Sequence, residues 1–139
     1  MHVASWRKCD FQLHTPRDPN WKGKRPVGIG DVIDGVKATK EQSETQRAAW
    51  AVSFVDFCEK RNLTAIALTD HHEMVMVPYV QEAIAKKRSE QSDFDLWFFP
   101  GMELTCRNGV QCIIIFDADL SEDWRREAQA KLGISIAGL

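Results

Sequence analysis

The chain has no long apolar run. No stretch approaches the roughly 18 residues that a membrane-spanning helix needs. Its start, MHVASWRKC, has no apolar segment of the kind that drives secretion. The expected compartment is therefore the cytosol. Charge of one dominant sign is also lacking: 18 Lys and Arg stand against 20 Asp and Glu, a formal charge of −2. That excludes attraction of the whole chain to nucleic acid and leaves room only for a local basic loop. The four cysteines form no C-x-x-C pair, so the usual zinc-knuckle and redox spacings are missing. Cys9, Cys58, Cys106 and Cys112 each sit in or beside apolar residues and are expected to be buried free thiols. Cys106 and Cys112 flank a turn and are expected close together without a bond. No G-x-x-x-x-G-K-[ST] occurs, which excludes a P-loop. Gly28-Ile29-Gly30 has no third glycine and no preceding strand, so it is not read as a phosphate loop.

What is present fits one globular domain over residues 1–139, with 44% hydrophobic and 27% charged residues. Lys8 to His14 alternates polar and apolar residues and reads as a first strand. Thr64 to Thr69, Leu96 to Phe99 and Val110 to Phe116 read as three more. Asn108-Gly109 is a hairpin signal that pairs Glu103–Cys106 with Val110–Phe116. Helices fill the gaps. Ser43-Glu44-Thr45-Gln46 reads as a capping box, followed by a face of Ala48, Ala51, Phe54, Val55 and Cys58, with Asn62 as the stop. A second helix is expected from Pro78, burying Val80, Ala83 and Ile84 and exposing Lys86, Lys87 and Arg88. A third is expected from Ser121 to Gly133.

Strands separated by helices imply parallel crossovers and an α/β layer architecture. A closed β/α barrel needs on the order of 200 residues, so the expected fold is a small open sheet or the front part of a larger barrel. The apolar tail Ile134–Leu139 favours a chain that continues or a partner that covers it. Pro16 to Lys40 breaks the alternation. It holds three of the five prolines and four of the eight glycines, and it carries Arg17, Lys22, Lys24, Arg25, Lys37 and Lys40 against Asp18, Asp31 and Asp34. A solvated surface loop is the expected reading, an anionic substrate the alternative.

The ionisable residues are placed in a pattern. The first strand ends at Gln12-Leu13-His14-Thr15. The second ends at Thr69-Asp70-His71-His72-Glu73, and the third runs into Pro100-Gly101-Met102-Glu103. Carboxyl ends of parallel strands gather at one edge of the sheet. His14, Asp70 with His71, and Glu103 are thus delivered to one place. Imidazole with carboxylate is a ligand set for zinc, manganese or iron. Glu103 stands in an apolar neighbourhood, where a carboxylate is costly unless it is paired or bound to a metal; an ion pair with Arg107 is the alternative. His72 is expected to face solvent, and His2 to lie in a frayed terminus.

These residues resemble the motifs of the PHP (polymerase and histidinol phosphatase) superfamily, metal-dependent phosphoesterases. Asp10-Phe11-Gln12-Leu13-His14-Thr15 is similar to the first motif. Ala65–His71, ending Thr69-Asp70-His71, is similar to the second, and Pro100-Gly101-Met102-Glu103 to the third. Gly109–Asp117 resembles a strand that bears a further ligand. The order and spacing match over nearly the whole chain, most like PHP domains at the N-terminus of SMC-like or AAA-like ATPases.

The resemblance implies a partial β/α barrel of about four strands, the N-terminal part of a larger one. It implies a divalent metal (Zn, Mn or Fe, number open) held by His14, Asp18, Asp70, His71 and Glu103, with Asp70 and His71 catalytic. Arg17 or Lys22 would hold the phosphate, and Gln12 and Gln111 would replace two ligand histidines. The implied activity is hydrolysis of a phosphate ester, on a small metabolite or a nucleic-acid end, linked to a C-terminal ATPase portion. A degenerate or truncated domain with a binding or regulatory role is the alternative. An incomplete barrel is expected to self-associate.

Overall fold

The computed structural model describes residues 6–30, 32–33 and 36–134. His2, Asp31, Asp34 and the tail from residue 135 lie outside them, so the expectations placed on those positions concern residues beyond this description. Along the chain run β1 (Cys9–Leu13), β2 (Val32–Ile33), β3 (Val36–Lys37), α1 (Lys40–Lys60), β4 (Ala65–Leu68), α2 (Val77–Glu90), β5 (Trp97–Thr105), β6 (Gln111–Ile115) and α3 (Glu122–Lys131). The main sheet is a curled half-barrel of order β1-β4-β5-β6, and β2 and β3 form a separate two-stranded hairpin. β1, β4 and β5 are parallel, and β6 returns antiparallel to β5. No helix among the described residues is long and apolar enough to cross a membrane.

Each helix ends where its chemistry ends it. α1 starts one turn before the expected capping box. Thr39 accepts from Gln42 N, and the Gln42 side chain accepts from Thr39 N. The sequence holds two such boxes in tandem, and with nothing to break the helix between them the earlier one becomes the cap. Ser43 is then buried inside the first turn. At the other end Asn62 adopts φ 55° while Leu63 N donates to Cys58 O and Asn62 N to Glu59 O. That double closure is a Schellman motif with asparagine in the glycine position. α3 closes the same way with Gly133 at φ 71°.

The core lies between one face of the sheet and the helices. Ile66, Leu68, Phe98 and Met102 from the strands meet Ala51, Val55 and Cys58 from α1 and Val77, Val80, Ala83 and Ile84 from α2. Ala48 of the expected α1 face is exposed instead. Lys87, expected at the surface, is drawn in by Asp56 at 2.5 Å and Glu59 at 2.6 Å. The expected third strand and the first arm of the hairpin are one continuous strand, β5. Its first part, Trp97–Pro100, pairs with β4, and its second, Gly101–Thr105, pairs with β6. Pro100 sits where the partner changes, so its missing N–H costs the ladder least. Gly101 follows because a Cβ there would lie 2.8 Å from Ile114 O and 2.9 Å from Leu68 O.

The opposite, concave face carries Phe11, Trp97, Phe99, Ile113 and Ile115. Trp97 and Phe99 align in register with Ala65 and Ala67. Ile113 and Ile115 align with Glu103 and Gly101, and the Phe11 ring packs edge-on to Phe99.

The segment from Pro16 to Lys40 is solvated in part, with Lys22, Lys24, Lys37 and Lys40 exposed, but it is anchored at two described points. Ile29 is fully buried in the core and Asp18 is buried beneath the sheet edge. Arg17 and Arg47 both donate to Ile29 O, and Arg25 donates to Asp18 O. The expectation of four buried thiols also fails. Cys58 alone is buried; Cys9, Cys106 and Cys112 are exposed free thiols. Burial on a strand needs a covered face, and these three lie on faces or edges without a layer over them. The Cys106 and Cys112 thiols do meet, sharing a hydrogen bond that raises the Cys106 pKa.

Candidate metal centre

The parallel strands deliver their ends as expected. His14 follows β1, His71 follows β4, and Glu103 sits in β5. Backbone pairing extends past β4 to lock the last two together: Glu103 N donates to Asp70 O, and His72 N donates to Glu103 O. His72 takes φ 58°, turning the chain directly after His71. Its side chain is exposed as expected, and its Nε2 accepts from Thr105 N at 2.9 Å, which braces the turn.

The two imidazoles of His14 and His71 stack with centroids 5.2 Å apart and planes 17° from parallel. Acidic groups approach both of their edges. On the Nδ1 edge, Asp18 Oδ2 lies 2.8 Å from His14 and 2.7 Å from His71. On the Nε2 edge, Glu103 Oε2 lies 3.5 Å from His14 and Glu103 Oε1 lies 3.3 Å from His71. Arg107, the alternative partner for Glu103, is exposed in the β5–β6 turn. Asp18 therefore lies within the cluster.

Burial works to raise the Asp18 carboxyl. The hydrogen bond to His71, the Asn20 N–H and the charges of the two imidazoles outweigh it, and the net direction is down. Asp18 is held as an anion, the state a metal ligand requires.

His14, Asp18 and His71 each offer a ligand atom, and these atoms lie within 4.8 Å of one another. His14 Nδ1 is also a buried polar atom without a hydrogen-bond partner. It is close to Asp18 Oδ2 yet not aligned to bond with it. A buried imidazole nitrogen left in this state is costly. A cation shared by the two imidazoles and the carboxylate would satisfy it, since ligand atoms around one ion stand about 2.0–2.2 Å from it. The residues present thus fit a divalent ion.

Asp70 stands slightly apart. Its Oδ1 accepts from Thr15 N at 2.6 Å and its Oδ2 from Thr15 Oγ1 at 2.7 Å, and Oδ1 is 4.0 Å from His14 Nδ1. Burial pushes its pKa up to about 6 against the pull of the Thr15 hydrogen bonds, with the charge of Glu73 adding to the rise. Its place is a strut between the ends of β1 and β4.

The two glutamines reach the Nε2 edge. Gln12 Nε2 donates to Glu103 Oε2 at 3.2 Å, and Gln111 Nε2 is 3.4 Å from His71 Nε2. Of the two expected phosphate-holding residues, Arg17 is paired and Lys22 lies at the surface. Arg17 is clamped to Glu73, with Nε 2.5 Å from Oε1 and Nη2 2.9 Å from Oε2. Lys22 is exposed.

A cleft of about 410 Å³ opens beside His71, lined by residues including Arg47, Glu73, Tyr79, Arg125 and Gln129. The basic residues on its far wall were missed from the sequence. The signal was Trp124-Arg125-Arg126 at the start of α3, which reads as an ordinary solvated helix face until the helix is packed. Compared with known proteins, the chain matches no family model, no curated protein and no solved structure.

Proposed function

We propose that this domain is a metal-dependent phosphoesterase-type unit of PHP character. The observation that carries the reading is the convergence of His14 with Asp18, His71 and Glu103 from three separate segments, with His14 Nδ1 buried and without a hydrogen-bond partner. A divalent ion held there supplies Lewis-acid chemistry, lowering the pKa of water and offsetting charge on phosphoryl oxygens. The chain's own contribution is placement. Asp18, beside both imidazoles, would supply the anionic ligand atom to the ion. Glu103 sets a carboxylate at the far edge of both rings. Asp70 ties the β1 end to the β4 end through Thr15 and so acts as a positioning residue. His71 lines the open cleft beside the cluster. The substrate is a small phosphorylated molecule or a nucleic-acid end.

A second reading rests on the two amides. Gln12 and Gln111 occupy the Nε2 edge, and a neutral amide oxygen is a weak ligand for transition metals beside imidazole. On this reading the domain keeps one ion and serves binding or regulation with little turnover.

The test is metal analysis of purified protein together with hydrolysis of a generic phosphate ester under added Mn²⁺, Fe²⁺ or Zn²⁺. Turnover that disappears in His14→Ala and His71→Ala supports the enzyme. Bound metal without turnover supports the second reading, and activity gained by Gln12→His with Gln111→His assigns the defect to the amides. Absence of bound metal under all three ions overturns both.

A further inference from the structure

The cleft beside His71 is formed where α1, α2 and α3 meet the β4–α2 turn. Its volume, about 410 Å³, suits a small ligand. Two of its acids are already matched by arginines: Glu73 by Arg17 at 2.5 Å, and Glu122 by Arg126 at 2.6 Å. Arg47 lies over the Tyr79 ring, 6.0 Å from its centroid.

Arg125 is different. It is 6% exposed, and among the described residues no carboxylate lies within 4 Å of it. Nη1 donates to Leu120 O at 2.7 Å. Burial presses its pKa down, opposed only by the charge of Glu122. A guanidinium keeps its charge under such pressure, and a buried charge is expensive unless an opposite charge or several hydrogen bonds meet it. The backbone carbonyl supplies one. The planar fork offers further donors, a geometry suited to two oxygens of an anion at once.

We propose that this cleft is an anion pocket built on Arg125, which seats a phosphate group of the molecule engaged at the His14–Asp18–His71 cluster. His71 belongs to both places, so the cleft that Arg125 lines adjoins the cluster. The pocket offers a second place for the phosphate beside the role that the family resemblance implied for Arg17 or Lys22. As a statement about phosphate chemistry the inference rests on the phosphoesterase reading, yet anion binding is separable from it.

The experiment titrates inorganic phosphate, at constant ionic strength, into protein stripped of metal on a chelating resin, and follows ¹H–¹⁵N resonances. The expected result is saturable shifts concentrated at the Arg125 side-chain Nε–H and the backbone of Arg125, Arg126 and Gln129. Arg125→Gln is expected to weaken binding by about tenfold or more, with Arg125→Lys intermediate. Arg107→Ala, on the far β-turn, is expected to leave it unchanged. The wild-type map stands even where a variant of the buried arginine does not fold. Shifts that fail to saturate, that cluster elsewhere, or that persist at full strength in folded Arg125→Gln overturn the pocket. Phosphate binding without hydrolysis in the metal assay would leave the pocket standing and sink the phosphoesterase reading; hydrolysis without a response at Arg125 would do the reverse.

Discussion

Asp18→Asn distinguishes a metal centre from a cluster held by hydrogen bonds alone. One oxygen, Oδ2, serves both imidazoles at 2.8 and 2.7 Å, so the substitution removes the single anionic atom common to the two rings while keeping the shape. A ligand present at one hundred times its Kd stabilises the folded state by about 2.7 kcal/mol. For a domain of this size 1 kcal/mol moves the midpoint by roughly 3–5 °C, so saturating metal is expected to raise Tm by roughly 10 °C. Loss of a neighbour that merely orients a ligand weakens metal binding about 10–100-fold, and loss of a ligand atom itself sits at the upper end or beyond. At a hundredfold weaker affinity the same ion concentration equals Kd, and the stabilisation falls to about 0.4 kcal/mol. The measurement is thermal unfolding by circular dichroism, wild type against Asp18→Asn, in chelator and in equal concentrations of Mn²⁺, Fe²⁺ and Zn²⁺. An equal rise in both proteins, or no rise in the wild type with any of the three ions, refutes the centre.

Further expectations concern the scaffold. Cys58 is fully buried and burial pushes its thiol up to about 11, with the charge of Asp10 adding to the rise. The folded state therefore holds that proton after the unfolded chain, with a thiol near 8.5, has lost it, and the stability Cys58 contributes is lost as pH rises through that window at up to about 1.4 kcal/mol per pH unit. Urea midpoints of wild type and Cys58→Ala, compared from pH 8 to 10.5, should converge or cross; parallel curves would contradict it. A thiol reagent at pH 8 should modify Cys9, Cys106 and Cys112 in the native protein and reach Cys58 only on unfolding; four thiols reacting at once would be the contrary result. Gly101→Ala forces a methyl against Ile114 O and Leu68 O and should cost roughly 1–3 kcal/mol, as overpacking does, read from the denaturant midpoint. An unchanged midpoint would show that the two strands yield more easily than their contacts suggest.

The parts of this fold that were legible are those set by local chemistry. The strand ends carrying His14, His71 and Glu103 announced themselves because each apolar run stops at an ionisable group, and Ser121 and Asn62 mark helix ends by side-chain and backbone preferences that need no tertiary context. What stayed hidden depends on packing. Thr39 and Ser43 offer equal caps in sequence, and only continuity of the helix selects the first. Ile29 looks like one apolar residue in a Gly-rich loop, yet it fills the core. Arg17 reads as a phosphate holder until Glu73 is brought beside it from the far side of β4. Arg125 reads as one basic residue on a polar helix, and its burial exists only once α3 is laid against the cleft.

The inner surface of the curled sheet has a practical effect. Phe11, Trp97, Ile113 and Ile115 stay 40–49% exposed in the folded chain, an oily trough next to the polar rim that bears the imidazoles. Environment-sensitive dyes such as anilinonaphthalene sulfonate should light up on the native molecule before any heat is applied, and warming should dim rather than brighten them as the trough comes apart.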